Sequence, residues 1–79
     1  MDLSGIELTL KDNDLNFNEF PLLEKLSLAN NLITTKSLLD SHIEKLFHLK
    51  VLDISGNKLK DIHLIIDFVN KLNNIEVIF

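Results

Sequence analysis

The sequence predicts an α/β fold: a solenoid of about four short parallel strands on a concave face, with helices or 3₁₀ turns on the convex face. Two observations predict it. The first is an aliphatic composition, with seventeen Leu and nine Ile among 79 residues. The second is an internal repeat with steps of 18, 26 and 23 residues, near the roughly 20 to 29 residues at which one strand and one return segment form a stacking unit. The whole chain, 1–79, is predicted to form a single domain.

The repeat is complete in two segments. The pattern L-x-x-L-x-L-x-x-N-x-L fits LKVLDISGNKL at 49–59 and LEKLSLANNLI at 23–33, with Ile accepted in Leu positions. Two weaker copies have these residues at the corresponding positions: Gly5, Leu8, Leu10, Asn13 and Leu15 in the first, and Leu72, Ile75 and Val77 in the last. The full matches satisfy five spaced constraints each, so they indicate a true repeat.

Each part of the repeat predicts one structural element. Alternation in L-x-L predicts strands near 6–10, 24–28, 50–54 and 75–78, because alternate side chains of a strand point to opposite faces. Apolar residues at helical spacing predict helices near 35–47 and 61–71. A side-chain amide both donates and accepts, so it can satisfy backbone groups where the chain turns after each strand. We therefore expect a structural ladder of Asn13, Asn31 and Asn57.

The repeat unit resembles that of the leucine-rich-repeat superfamily, with short SDS-type repeats. The segment SGNKLKDI at 55–62, followed by a helix and a strand, is similar to the acidic leucine-rich nuclear phosphoproteins. The segment PLLEKLSLANN at 21–31, with a helix between it and SGN at 55–57, resembles the leucine-rich domain of the nuclear mRNA export receptors. These resemblances imply a non-catalytic protein-binding module, a fragment or reduced relative of a nuclear export or regulatory protein.

Composition excludes several kinds of partner and setting. The net charge is −4 and all eight basic residues are Lys. Without Arg, the residue suited to bidentate phosphate and base recognition, direct nucleic-acid binding is disfavoured. The chain has no Cys, no basic-apolar leader and no apolar run long enough to span a membrane. We expect an intracellular protein, nuclear or cytoplasmic.

No pattern of catalytic or metal-binding residues is present, so the sequence predicts no enzyme, no cofactor and no metal. His42 and His48 are six residues apart, which does not place two ligands on one helix face. Asp12 and Asp14 flank Asn13, but the Gly and Glu of a calcium loop do not follow. Only two Gly occur, and no phosphate-binding loop is present.

Two surfaces are candidates for binding a protein partner. The outward strand positions of the predicted concave face are Glu7, Thr9, Lys11, Lys25, Ser27, Ala29, Val51, Asp53, Ser55 and Glu76. The second candidate is the C-terminal edge at Val77, Ile78 and Phe79, because an apolar strand without a neighbour is a template for association. The alternative function is a small structural subunit of a large ribonucleoprotein assembly whose neighbours cover the ends of the stack.

Overall fold

The computed structural model describes residues 1–11 and 16–79 and contains one open parallel sheet of three strands. Strand β1 is Lys25–Ser27, β2 is Val51–Asp53 and β3 is Val77–Ile78, in the order β1-β2-β3. Helix α1, Thr35–Leu39, connects β1 to β2, and α2, Ile62–Asn70, connects β2 to β3. The expected parallel sheet of an α/β fold is confirmed for these three strands.

Strand pairing defines a repeat of constant length. Lys25 pairs with Val51 and Val51 pairs with Val77, so the two steps along the chain, 51 − 25 and 77 − 51, are equal. We call this spacing the repeat step, and residues one repeat step apart occupy equivalent places in neighbouring repeats. This register differs from the alignment of Leu72 with Leu49, because it is Ile75 that lies one repeat step after Leu49.

The first repeat lies seven residues earlier than expected. Asp2 forms a parallel bridge with Ser27, and the Leu3 amide donates to the Ser27 carbonyl at 2.9 Å. The segment MDLSGIEL at 1–8 is thus equivalent to LDISGNKL at 52–59. The predicted fourth strand near 6–10 is not confirmed. Among the described residues, Glu7 and Leu10 have positive φ angles, which an extended strand does not allow.

Helix α1 is much shorter than the predicted helix at 35–47. It begins with a capping box, in which Thr34 accepts from the Ser37 amide and the Ser37 hydroxyl accepts from the Thr34 amide. It ends because the Ser41 hydroxyl donates to the Leu38 carbonyl at 2.6 Å, and His42 then turns into the left-handed region. A 3₁₀ turn, Ile43–Lys45, follows, and a second one lies at Phe17–Glu19.

The core lies between the sheet and the return segments. Inward residues in or next to β1 and β2, Leu26, Leu28 and Leu52, are fully buried, and α1 and α2 contribute Leu38 and Phe68. These residues belong to one buried cluster that extends along the chain from Leu10 to Leu72. Each repeat therefore buries its apolar side against its neighbours rather than within itself.

Candidate protein-interaction surfaces

The Asn ladder connects neighbouring repeats and is structural. The Asn31 carbonyl oxygen Oδ1 accepts from the amides of Ile6 and Leu8 at 3.0 Å each, and its Nδ2 donates to the Leu3 carbonyl of the first repeat at 2.8 Å. Asn57 repeats this arrangement one step later, with Oδ1 accepting from Ile33 at 3.1 Å. The predicted ladder residue Asn13 lies outside the described residues.

A shared turn follows the strand position in the first and third repeats. Asp2 Oδ1 accepts from both the amide and the hydroxyl of Ser4, and Asp53 Oδ1 accepts from both groups of Ser55 in the same way. These hydrogen bonds lower the pKa of the Asp2 carboxyl. Two of the polar side chains on the concave side are therefore already bonded within their own turns.

The register determines which side chains lie on the concave face. One row consists of Lys25, Val51 and Val77; the next consists of Asp2, Ser27, Asp53 and Phe79. Phe79 is 64% exposed and Val77 is 42% exposed. An alignment of Leu72 with Leu49 puts Ile78 in an outward row, whereas the structure pairs it with the inward Leu52. The concave face thus has an exposed aromatic ring that the sequence pattern does not assign to it.

The other predicted concave residues are dispersed. Glu7 and Lys11 are exposed and Thr9 is half-buried in the segment that follows the first turn. Ala29 is buried, so it offers no surface to a partner. Ser55 lies in the turn after β2. The structure therefore brings together Lys25, Ser27, Val51 and Asp53, but it does not bring Glu7, Thr9 and Lys11 into their rows.

Charges alternate along the row that precedes the strands. Glu24, Lys50 and Glu76 are separated by one repeat step each, so they are neighbours in the stack. Lys50 Nζ lies 3.1 Å from Glu24 Oε1, and the hydrogen bond to Glu24, with the negative charges of Glu24 and Glu76, raises the pKa of Lys50. Glu76, which was predicted to bind a partner on the concave face, is thus the last residue of a charged row that borders this face.

The side of the third repeat that faces away from the second repeat is open, and we call it the end face. Its inward residues include Val69, Ile75 and Ile78, which are partly exposed. The residues one repeat step earlier, Ile43, Leu49 and Leu52, are at most 2% exposed.

Two exposed residues at the border of the end face are apolar, although the stacking of repeats does not require apolar side chains at these positions. Ile62 and Ile66 of α2 are 65% and 50% exposed. Their equivalents in the second repeat are Lys36 and Asp40, which are also exposed and which border a groove against Leu59 and Leu64. We call Ile62 and Ile66 the rim. The second repeat keeps these positions polar even though another repeat stacks beside it.

Two further features were sought among the described residues: grouped metal ligands and membrane-spanning helices. Within residues 1–11 and 16–79, no three His, Cys, Asp or Glu residues are grouped so that they could hold a metal ion. In the same part of the chain, no helix has the length and hydropathy to cross a membrane. All buried side-chain polar atoms of the described residues have hydrogen-bond partners.

Comparison with known proteins agrees with this geometry. Residues 48–72 match the Leucine Rich Repeat family model. The match begins just before β2 and includes Asn57 and all of α2. It supports a leucine-rich-repeat relationship, and the three parallel strands are consistent with a leucine-rich-repeat-like fold. No curated protein and no solved structure matches the chain.

Proposed function

We propose that this chain is a non-catalytic protein-interaction module that binds a protein partner through the rim. The observation that carries the proposal is the contrast between equivalent residues. Ile62 and Ile66, four residues apart on one flank of α2, are 65% and 50% exposed, whereas the residues one repeat step earlier are the exposed Lys36 and Asp40. Apolar side chains grouped on an exposed surface indicate an interaction site.

The concave face is a smaller candidate surface for the same function. Phe79 supplies an exposed aromatic anchor, beside Val77 and the carboxyl of Asp53. Aromatic residues are enriched among those that dominate binding energy. Because Phe79 and Val77 lie on the strand that also borders the end face, one partner can contact both surfaces.

The test is affinity purification of the tagged chain from its own cells, with and without nuclease, followed by mass spectrometry. The variant Ile62→Lys/Ile66→Asp gives the rim the residue types of the second repeat. Leu22→Lys is the matched control, because Leu22 is an exposed aliphatic residue, 74% exposed, that precedes β1. We expect a stoichiometric protein with the wild type and the control, and its loss with the rim variant.

Two other results would change the assignment. Recovery of the same proteins by wild type and rim variant would refute binding through the rim. Loss of the partner on nuclease treatment would favour the alternative function, a structural subunit of a ribonucleoprotein assembly. The resemblance to nuclear export receptors and nuclear phosphoproteins, and a nuclear or cytoplasmic location, stay predictions that imaging of the tagged chain would test for location.

A further inference from the structure

A groove between the second and third repeats combines an apolar lining with a cluster of lysines. Its apolar lining residues are Leu39 of α1, Leu64 of α2 and Leu59, which lies between β2 and α2. Lys36, Lys58 and Lys60 line it as well, and we call it the lysine groove. We propose that it binds a short acidic segment of another protein, with one aliphatic side chain against the leucines and carboxylates beside the lysines.

The lysine groove is a separate surface from the rim. Leu64 of α2 lines the groove, whereas Ile62 and Ile66 do not, because they lie on the other flank of this helix. The groove has a volume of about 860 Å³, within the roughly 300–1,000 Å³ that is usual for ligand-binding pockets. The inference therefore goes beyond the proposed function and can be tested independently of it.

The stack itself leaves the apolar lining uncovered. One repeat step before Leu59 and Leu64 are Ile33 and Leu38, which are both 0% exposed. Leu64, in contrast, is 42% exposed, and Leu59 is half-buried. Both leucines line a groove between two neighbouring repeats, so this exposure belongs to the interior of the stack. An aliphatic side chain placed there would remove apolar surface from water.

The charged lining is positive on a chain whose net charge is −4. Three of the eight Lys line the groove, against two of the twelve acidic residues, Asp40 and Asp61. All three Lys are exposed, and none belongs to either of the ion pairs found among the described residues. Carboxylates of a partner would complement these charges and set the specificity of binding.

Two of the lysines are held at one end of the groove. Thr34 forms a parallel bridge with Lys58. Thr35 Oγ1 accepts from the Lys60 amide at 2.7 Å and donates to the Lys60 carbonyl at 2.6 Å, so both Lys lie beside the start of α1. Asp40 is the C-cap residue of α1 and lies at the other end. Because the backbone at the lysine end is already fixed, little ordering of the chain opposes binding.

The dimensions and lining of the groove favour a short peptide over other anions. Helix α1 has five residues and is about 7.5 Å long, a length that two or three extended residues would span at about 3.3 Å each. The lining has no aromatic residue on which a nucleic-acid base could stack, and no Arg. A long alkyl chain starting at the lysines would lie against the Asp40 carboxylate, which is unfavourable, whereas a peptide can place a polar residue there.

The test is a titration of the isotope-labelled chain with terminally blocked peptides, followed by amide chemical shifts in nuclear magnetic resonance. Two acidic probes place three aspartates before or after one leucine. Matched probes replace the aspartates by asparagine, or the leucine by serine. We expect at least one acidic probe to saturate below about 1 mM and the matched probes to bind at least about tenfold more weakly. The shifts should concentrate at Thr35, Leu39, Lys60 and Leu64.

Charge-reversal variants test the role of the lysines. Lys58→Glu/Lys60→Glu should weaken binding at least about tenfold, because two attractive interactions become repulsive. Lys45→Glu/Lys71→Glu is the matched control, since it reverses the same charge at exposed lysines that do not line the groove. We expect the control to bind the acidic probe much more tightly than the groove variant does. Circular dichroism would check that each variant is folded.

Several results would overturn the inference. They are the absence of saturable shifts with either acidic probe up to about 1 mM, equal binding of the asparagine probes, and equal weakening by the groove and control variants. Shifts confined to the concave face, at Val51 and Val77, would also overturn it. If laurate shifts the groove amides and no peptide does, the groove takes a small amphipathic anion and the peptide assignment is wrong.

The rim variant separates this inference from the proposed function. Ile62→Lys/Ile66→Asp should bind the acidic probe like the wild type, because neither residue lines the groove. Loss of probe binding in this variant would contradict a site separate from the rim. If the rim variant retains its cellular partners but the acidic probe binds in the lysine groove, the proposed function fails and this inference stands.

Discussion

The clearest prediction concerns Asn31, whose amide holds the first repeat against the second. Replacing Asn31 by Leu keeps the side chain similar in size but removes every hydrogen bond that it makes. Of the backbone groups it bonds, the Leu28 carbonyl still accepts from Asn57 Nδ2, and the Ala29 carbonyl still accepts from the Gly5 amide. The amides of Ile6 and Leu8 and the carbonyl of Leu3 lose this partner.

The magnitude follows from those three groups. Leaving a buried donor or acceptor unsatisfied costs about 1–3 kcal/mol, and these groups are only partly buried, so each should cost about 1 kcal/mol and the three together about 3 kcal/mol. A chain of 79 residues has a free energy of unfolding of roughly 4–12 kcal/mol. Asn31→Leu should therefore remove a large part of the stability.

The assay is urea unfolding followed by circular dichroism, at a concentration where the chain is monomeric. Ile6→Leu is the control, because Ile6 is equivalent to Asn31 in the first repeat but has no amide; it should change the stability by less than about 1 kcal/mol. Asn57→Leu should cost less than Asn31→Leu, since Asn57 is less buried. If Asn31→Leu lowers the stability by under about 1 kcal/mol, the ladder does not hold the repeats together.

The remaining predictions concern single residues of the stack. Leu52→Ala should cost about 2–5 kcal/mol in urea unfolding, because Leu52 is fully buried between two repeats, whereas Val51→Ala, an outward neighbour, should have a small effect. Gly56→Ala should destabilise more than Gly5→Ala: both have positive φ, which costs about 1–2 kcal/mol for a residue with a side chain, but only at Gly56 would the new Cβ collide with the Asn30 side chain. The pKa of Lys50 is raised above its ordinary value, so the charged form stabilises the folded chain; this contribution is fully present below the unfolded pKa and is lost as the pH rises through the folded pKa. Thermal unfolding through the alkaline range should therefore show a smaller decline in Glu24→Gln than in the wild type, and equal declines would refute the role of the Glu24–Lys50 pair.

The two complete repeats could be predicted because each contains every residue that the pattern requires. Leu26, Leu28 and Asn31 are constrained together, and so are Leu52, Ile54 and Asn57. The first repeat was aligned incorrectly because Ile6 occupies the position where the pattern requires Asn. A search for Asn therefore selects Asn13 and moves the alignment by seven residues.

The last repeat could not be placed reliably because its Asn is absent and both Leu72 and Ile75 fit the first Leu position. The slip of three residues has a large consequence, because strand side chains alternate with a period of two and an odd shift exchanges the two faces. The three-residue slip places Ile78 on the outward face of the strand and Val77 on the inward face. For this reason the pattern assigned Phe79 to the C-terminal edge but not to the concave row that contains Asp53.

The rim was missed for a different reason. Ile62, Ile65, Ile66 and Val69 all fit one apolar stripe of a helix, and helical spacing alone does not separate core from surface within a broad stripe. A comparison with the second repeat would have found the signal, since its residues at the positions of Ile62 and Ile66 are charged.

The early end of α1 was missed because periodicity does not detect local competition for backbone groups. The apolar spacing continues past Leu39. The helix nevertheless breaks there, because the Ser41 hydroxyl bonds the Leu38 carbonyl.

The most direct test of the account is the register between β2 and β3, because the rows of the concave face and the comparison of equivalent residues depend on it. Inter-strand nuclear Overhauser effects in the chain as a monomer would measure it. We expect close contacts between Val51 and Val77 and between Leu52 and Ile78. Contacts of Leu52 with Ile75 instead would restore the alignment of Leu72 with Leu49, turn Ile78 and Phe79 to other faces, and contradict the account.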